Sequence, residues 1–410
     1  MESRFTSEFF AGNRKKLREL FTGKAPLVIT ANGLLQRGGD SPFPFAQDAN
    51  FWYLTGIDEP DIVLVMDKDK EYLIVPPRDA NRSAFDGAVD THHLTVRSGI
   101  DTVLSEEEGW HVLGSRIKRV KHVATIAAAP QYIERYGLYT NPARQRLIKR
   151  LMAQKEGLEL LDITMHLVRM RMVKQPIELG AIQAAIDITL ATLKDVSRQS
   201  RLEKYAYEYE LEADITRGFR KRGATGHAFE PIVAGGERAC TLHNVANAGA
   251  FASSELAIMD VGAEVEHYAA DITRTFAFGT PSRRQQAVYA AVVDVQAYAK
   301  SHLKPGVFLQ TYEEKVEKYM GEKLRELGLI KTIDHQSVRR YYSHATSHFL
   351  GLNVHDVGDY TLALEPGNVL TIEPGIYIPE EGIGVRIEDD ALVTNKGIEV
   401  LSDALPPVTL

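Results

Sequence analysis

Two hydrophobic periods alternate along the first part of this chain. Residues 12–21 set basic and apolar side chains at helical spacing and predict a basic amphipathic helix. Short aliphatic runs at Leu27–Thr30, 62–66, 72–75 and 122–126, separated by turn-rich stretches, predict strands. The combination is an α/β pattern with a modest sheet. Residues 142–172 then read as mainly helical.

Beyond this point the helices lengthen. Pro176 occupies the first-turn position that proline favours, and Leu179, Ile182, Ile186, Leu190 and Leu193 follow on one apolar face. A second helix carries Leu211, Ile215 and Phe219 and stops near Gly223. A third begins at Ser282, with Gln285 three residues on as a capping box, and ends before Pro305-Gly306. A fourth is predicted from Thr311, with Glu314 in the same arrangement, to about Gly328. Apolar strand-like runs lie between and after these helices. The second part is therefore α+β, with helices packed on a strongly curved antiparallel sheet. The expected division is an N-terminal α/β domain over 1–165 and a second domain over 166–410.

Length and composition narrow the function. A chain of 410 residues accommodates two domains, and 44% hydrophobic with 25% charged residues is ordinary for a globular protein. The net charge of −7, without a dominant basic patch, argues against nucleic acid as a partner. The start, Met-Glu-Ser-Arg-Phe-Thr-Ser-Glu, lacks a basic segment followed by an apolar core, so no signal peptide is expected. Apolar runs such as 61–66 are too short to span a bilayer. A single cysteine, Cys240, excludes an intrachain disulfide framework. It lies three residues before His243, as a thiol nucleophile could, but a small semi-buried residue is the favoured reading. The expectation is a cytoplasmic protein with neither membrane nor nucleic acid as partner.

Chemistry concentrates in the second part. Asp260 ends the apolar run 256–259, Asp271 precedes 272–276, Glu373 follows Val-Leu-Thr-Ile, and Glu388 lies in Val-Arg-Ile-Glu-Asp-Asp. His348 sits in a glycine-containing loop beside another strand. With a turn near Val265-Glu266, Asp260 and Asp271 are predicted to face each other across a hairpin. Like charges so opposed destabilise a ladder unless a cation lies between them. Alternation places Arg386, Glu388 and Asp390 on one strand face. Each residue alone has a bland reading: a solvated hairpin aspartate, a strand-end carboxylate, a structural histidine. Four carboxylates and one imidazole at strand ends share no such reading. Together without a cation they would repel and lose hydration. Two divalent ions cancel their charge, and oxygen donors with one imidazole suit Mn, Co, Fe or Zn.

These residues lie in the motifs MDVGAEVEHYAADITRTF, SHFLGLNVHDVG, TIEPGIYI and GIGVRIEDD, and the N-terminal part contains FPFAQDANFWYLTGIDEPD. On them the chain resembles the aminopeptidase P (Xaa-Pro aminopeptidase) family of pita-bread metallopeptidases over nearly its whole length. The resemblance implies metal-dependent release of the first residue from peptides with proline second. It implies that Asp260, Asp271, His348, Glu373 and Glu388 hold two divalent metal ions, commonly Mn²⁺, with Asp271 and Glu388 bridging. It further implies that Glu373 passes on the proton, that His243 lies near the scissile bond and that His355 bonds the substrate carbonyl. His344 would line the pocket, and Arg386 would close its proline side. Ala345 stands where many relatives have glycine, a small change that leaves the ligand in place. Family members often assemble, so a homodimer or homotetramer is expected. Prolidase is the nearest alternative. A metal-free creatinase-like hydrolase, a non-catalytic binding protein on the same fold and a methionine aminopeptidase fit less well, on the intact ligand set or the large N-terminal region.

Overall fold

Phe5, Phe9 and Phe10 pack edge-on against Trp52 and Tyr53, and this contact draws the first helix toward the N-terminus. It spans Ser7–Leu20 rather than beginning at residue 12, because tertiary burial carries a helix beyond the reach of its own polar pattern. The computed structural model describes residues 3–68, 70–128 and 137–407. The chain divides into two units, Met1–Met170 and Arg171–Leu410.

The first unit is built on a six-stranded mixed sheet in the order Val103–Ser105, Lys70–Val75, Val63–Asp67, Leu27–Thr30, His122–Thr125, Glu159–Asp162. Two adjacent pairings are antiparallel, Leu27–Thr30 with Val63–Asp67 and that strand with Lys70–Val75, and the rest are parallel. The motif around Trp52 forms the helix Ala49–Thr55, whose first amides, those of Asn50 and Phe51, donate to the Asp48 carboxylate. The mainly helical reading of 142–172 needs correction at its centre. Helices Ala143–Met152 and Thr164–Met172 flank a strand, Glu159–Asp162. Its Glu-Leu-Leu-Asp pattern suits either period, and the sheet decides: Leu160 pairs with Val123 and packs on the core of Val123, Leu147 and Leu151.

In the second unit the predicted helices stand at Pro176–Val196, Glu208–Lys221, Arg283–His302 and Leu309–Glu326. Ile182, Ile186, Leu190 and Leu193 are buried on the first, and Leu211, Ile215 and Phe219 on the second. Helix Pro176–Val196 is long and apolar enough to cross a membrane by length and composition, which the sequence reading denied of any run. Half of that stretch is buried inside the protein, as in a core helix. The capping box at Ser282 and Gln285 forms. The one predicted at Thr311 does not, because the helix starts earlier, at Leu309. Phe308, the residue before it, is already paired in extended conformation with Ala363.

The strands of this unit pair antiparallel throughout but split into short sheets. One holds Ile232–Gly235, Glu255–Val261 and Ile272–Phe278. Another holds Val369–Ile372, Asp389–Thr394 and Gly397–Val400, and a third pairs Gly375–Ile378 with Ile383–Arg386. Pro374 cannot donate to a ladder, so the chain breaks between Ile372 and Gly375 and leaves Glu373 at the gap. A similar interruption at Ile387-Glu388 separates strands Ile383–Arg386 and Asp389–Thr394. Glu373 and Glu388 therefore sit at breaks, where a side chain can leave the sheet plane.

Candidate metal centre

The five predicted ligands converge. Oxygens of Asp271 and Glu388 and a ring nitrogen of His348 lie within 4.8 Å of one another. His348 Nε2 is 3.4 Å from Asp271 Oδ2 and 3.3 Å from Glu373 Oε1. Asp260 is buried on the adjacent strand, where its negative charge raises the pKa of both Asp271 and Glu388. The predicted hairpin needs one correction: Asp260 pairs with Thr273, not Asp271. The turn centres on Glu266 and His267, both at positive φ, one residue beyond the predicted position. Asp271 lies just outside the ladder, and its backbone N–H donates to Asp390 at 3.1 Å.

Local bonds aim these groups. The carbonyl of Phe349 can only accept, so His348 Nδ1, 3.0 Å away, carries the proton and Nε2 presents its lone pair to the carboxylates. Thr371 N–H donates to the His348 carbonyl at 3.0 Å, and His348 N–H donates to the Thr371 hydroxyl at 3.2 Å. Thr273 Oγ1 donates to Glu388 at 2.6 Å and accepts from Arg386 Nε at 3.2 Å, so Arg386 and Glu388 do share a face. Asp390 points to the same region through its bond to Asp271.

Electrostatics show the strain of this grouping. Burial, then the charges of Asp260, Asp390 and Glu373, push the Asp271 carboxyl well above its ordinary range. Burial and the Asp271, Glu373 and Asp260 carboxylates do the same to Glu388. Burial lifts Glu373 to about 7, although His348 and Arg386 pull the other way. Asp260 Oδ1 is buried with no hydrogen-bond partner among the described residues. An unpaired buried carboxylate oxygen, mutually repelling acids and a directed imidazole lone pair make a donor set that fits divalent cations. Divalent metal binding is the chemistry this arrangement supports.

The surrounding polar residues form a chain of bonds. Arg386 Nη2 donates to Asp260 Oδ2 at 2.5 Å, and Nη1 donates to Tyr377 Oη at 2.8 Å. Tyr377 Oη lies 2.8 Å from His344 Nε2. His344 Nδ1, 2.8 Å from the Ala345 carbonyl, must be its protonated nitrogen, so Tyr377 donates to Nε2. Burial and Arg386 pull His344 down to about 3, which keeps the ring neutral. His355 stacks edge-on with His348 at 4.3 Å, and desolvation, His348 and His243 lower it to about 4. His243 is exposed in the loop after Cys240, near enough to His355 for their charges to interact.

Cys240 is half-buried, donates to the Ile383 carbonyl and packs on the core of Ile232, Ile258 and Tyr377. Burial pushes its thiol up to about 11, which agrees with a packing residue rather than a nucleophile. Three residues escaped the sequence reading: Tyr377, Thr273 and Glu313. The Glu313 carboxylate accepts from the amides of Thr346 and Ser347 and so braces the loop that leads to His348. Tyr377 lies inside the quoted Glu-Pro-Gly-Ile-Tyr motif, and Gly375 was its available signal. A Cβ on Gly375 would lie 2.4 Å from Tyr377 Oη, so only glycine admits that hydroxyl.

Comparison with known proteins agrees with this geometry. The profile described as metallopeptidase family M24 matches residues 180–395, and that described as the aminopeptidase P N-terminal domain matches 10–125. The chain is 32% identical to the Xaa-Pro aminopeptidase of Haemophilus influenzae, over 98% of this chain and 96% of that protein. It is 30% identical to the Xaa-Pro aminopeptidase of Escherichia coli, over 96% and 94%. The solved structure of zinc-substituted E. coli aminopeptidase P in complex with product superposes with a TM-score of 0.88 at 28% identity, covering 99% of this chain and 97% of that one. With both profiles matched in order and near-full-length relatives at 30–32% identity, the chain belongs to the aminopeptidase P group of metallopeptidase family M24.

Proposed function

We propose that this protein is a metallo-aminopeptidase that hydrolyses the N-terminal Xaa-Pro bond and releases the first residue of peptides with proline second. The carrying observation is the convergence of Asp271, His348 and Glu388, with Glu373 beside His348 and Asp260 near enough for its charge to act on Glu388. Full-length likeness to Xaa-Pro aminopeptidases supports this specificity over that of a prolidase. The five side chains would hold two divalent ions, Mn²⁺ being favoured. Four carboxylate charges balanced by two divalent charges support that number. When bound, the ions supply charge neutralisation and Lewis-acid activation of water and of the scissile carbonyl.

The protein's own groups do the rest. Glu373, at the gap after strand Val369–Ile372, accepts a proton from the attacking water and passes it to the proline nitrogen. The C–N bond breaks with its electron pair on that nitrogen, which departs as the amine of the shortened peptide once it has taken the proton. His355, lowered to about 4, is neutral at pH 7 and donates an N–H bond to the substrate carbonyl as negative charge develops there. His243 stands beside it toward the first residue. Both ring nitrogens of His344 are already bonded, so this ring serves as a wall of the proline pocket, with Arg386 fixed behind it through Tyr377. The family likeness also supports a homodimer or homotetramer, which analytical ultracentrifugation would read.

The test uses metal-free protein with and without added Mn²⁺, on an Ala-Pro-Ala tripeptide and a Gly-Pro dipeptide. Manganese-dependent release of alanine from the tripeptide is expected. Cleavage of the dipeptide alone would make the protein a prolidase.

A further inference from the structure

Behind the loop that carries His355 lies a second buried set of charges. Arg171 Nη2 donates to Asp356 Oδ1 at 2.5 Å and Lys174 Nζ to Asp356 Oδ2 at 3.1 Å, and all three side chains are at most 2% exposed. Glu178, also buried, accepts from Tyr268 Oη at 2.8 Å and from the Gln175 amide at 2.9 Å. Its charge interacts with those of Lys174 and Asp356.

The cluster ties together three pieces of chain. Arg171 and Lys174 flank the junction between helices Thr164–Met172 and Pro176–Val196. Asp356 belongs to the stretch 351–359, which contains no helix or strand. Tyr268 lies in the hairpin that leads to Asp271. Backbone bonds reinforce the junction: Ala269 N–H donates to the Gly351 carbonyl at 2.9 Å, and Asp356 N–H donates to that of Phe349 at 2.7 Å. The fit is close. A Cβ on Gly351 would lie 2.2 Å from Asp356 Oδ2 and 3.0 Å from Lys174 Cε.

Buried ion pairs add little stability over apolar side chains of the same shape, because desolvation cancels most of the attraction. What such a pair does fix is geometry. An irregular loop with few regular backbone bonds needs an anchor if one of its side chains is to hold a set direction. Asp356 is the residue next to His355, so anchoring it from two directions sets the backbone from which His355 reaches the ring of His348.

We propose that Asp356, clamped by Arg171 and Lys174, is the positioning residue for His355. The proposal rests on the reading of His355 as the group that bonds the substrate carbonyl. Its test is a double-mutant cycle on metal-loaded protein with Lys174→Met, His355→Ala and the double variant, measuring kcat, KM and bound metal. Lys174→Met removes one clamp and keeps the Arg171–Asp356 pair. It is expected to retain its metal and to lower kcat about 10- to 100-fold, with KM changed less. In the His355→Ala background the same substitution should change kcat by no more than about twofold. An equal loss with and without His355 overturns the positioning role, as does no loss at all. If His355→Ala itself leaves kcat intact, the reading of His355 fails, and this proposal with it. Should Lys174→Met not fold, Gly351→Ala keeps every charge, presses on the Asp356 carboxylate and enters the same cycle with the same expected pattern.

Discussion

Arg386 and Asp260 form an unequal pair: Arg386 Nη2 holds Asp260 Oδ2 at 2.5 Å, while Asp260 Oδ1 is buried with no partner among the described residues. The guanidinium uses one oxygen, fixes the carboxylate plane and leaves the other oxygen for a cation. Its remaining donors reach Thr273 and Tyr377, so one side chain organises three groups. Arg386→Ala is expected to lower kcat/KM about 10- to 100-fold, the loss of a charge-assisted bond of about 1.5–3 kcal/mol. Arg386→Lys should not restore it, because a point charge cannot reach the three partners of a planar fork. Steady-state kinetics of both variants decide, and near-normal activity in the lysine variant would remove the organising role.

Oxygens of Asp271 and Glu388 lie within 4.8 Å of a His348 ring nitrogen and of each other. Asp271→Asn and Glu388→Gln preserve shape while removing one negative charge and one anionic donor. Each should purify with little bound metal and show no activity above background. Elemental analysis against the unaltered protein is the check, and full activity with full metal content in either would end the two-ion assignment.

His355 touches the site without belonging to the donor cluster. His355→Ala should therefore keep its metal and lose turnover, by about 10²- to 10³-fold if it acts as an oxyanion donor. Loss of metal in this variant would instead place His355 among the ligands.

Metal removal should weaken the fold. A ligand at 100 times its Kd stabilises the native state by about 2.7 kcal/mol, or about 5–10 °C in Tm for a unit of this size. Chelated protein is expected to melt lower and to recover on addition of Mn²⁺. Calorimetry that shows the same Tm in both forms would argue against a structural share for the ions.

The carboxyl shifts set the pH dependence of metal uptake. Without metal, Glu373 titrates at about 7, and Asp271 and Glu388 lie well above their ordinary range, so protons occupy sites the cation needs. Affinity is then lost as pH falls through these raised values, about 7 for Glu373, with proton release on binding. The metal-free fold runs in the opposite sense. Acids whose pKa is raised by folding bind more protons in the native state, so its stability falls as pH rises through 7. Titration calorimetry in two buffers of different ionisation enthalpy measures the protons. Binding that is independent of both pH and buffer would contradict the origin given for these shifts.

Asp260 and Glu373 were legible because strand runs lead into them, Asp260 after Leu-Ala-Ile-Met and Glu373 after Val-Leu-Thr-Ile, while Asp271, His348 and Glu388 were legible through the motifs around them. A run of apolar side chains followed by a buried acid stands out in one dimension. The capping box at Ser282 was legible for the same reason, as both partners lie within three residues. Register was less so. The pairing of Asp260 with Thr273 depends on where the chain turns, and the turn at Glu266 and His267 places two non-glycine residues at positive φ, with no marker in the sequence.

Local pattern thus determined the two-part organisation, the long helices and the residues able to bind metal, since each rests on neighbours in the chain. Only the tertiary structure decided which of those groups meet. Glu159–Asp162 became a strand because an open sheet edge at His122–Thr125 was there to receive it. Tyr377 joined the site because its hydroxyl reaches both Arg386 and His344. Asp356 found its partners, Arg171 and Lys174, more than 180 residues away in sequence. Hydrogen bonds and ion pairs act over a few ångströms, and the folded path of the chain sets which residues come that close.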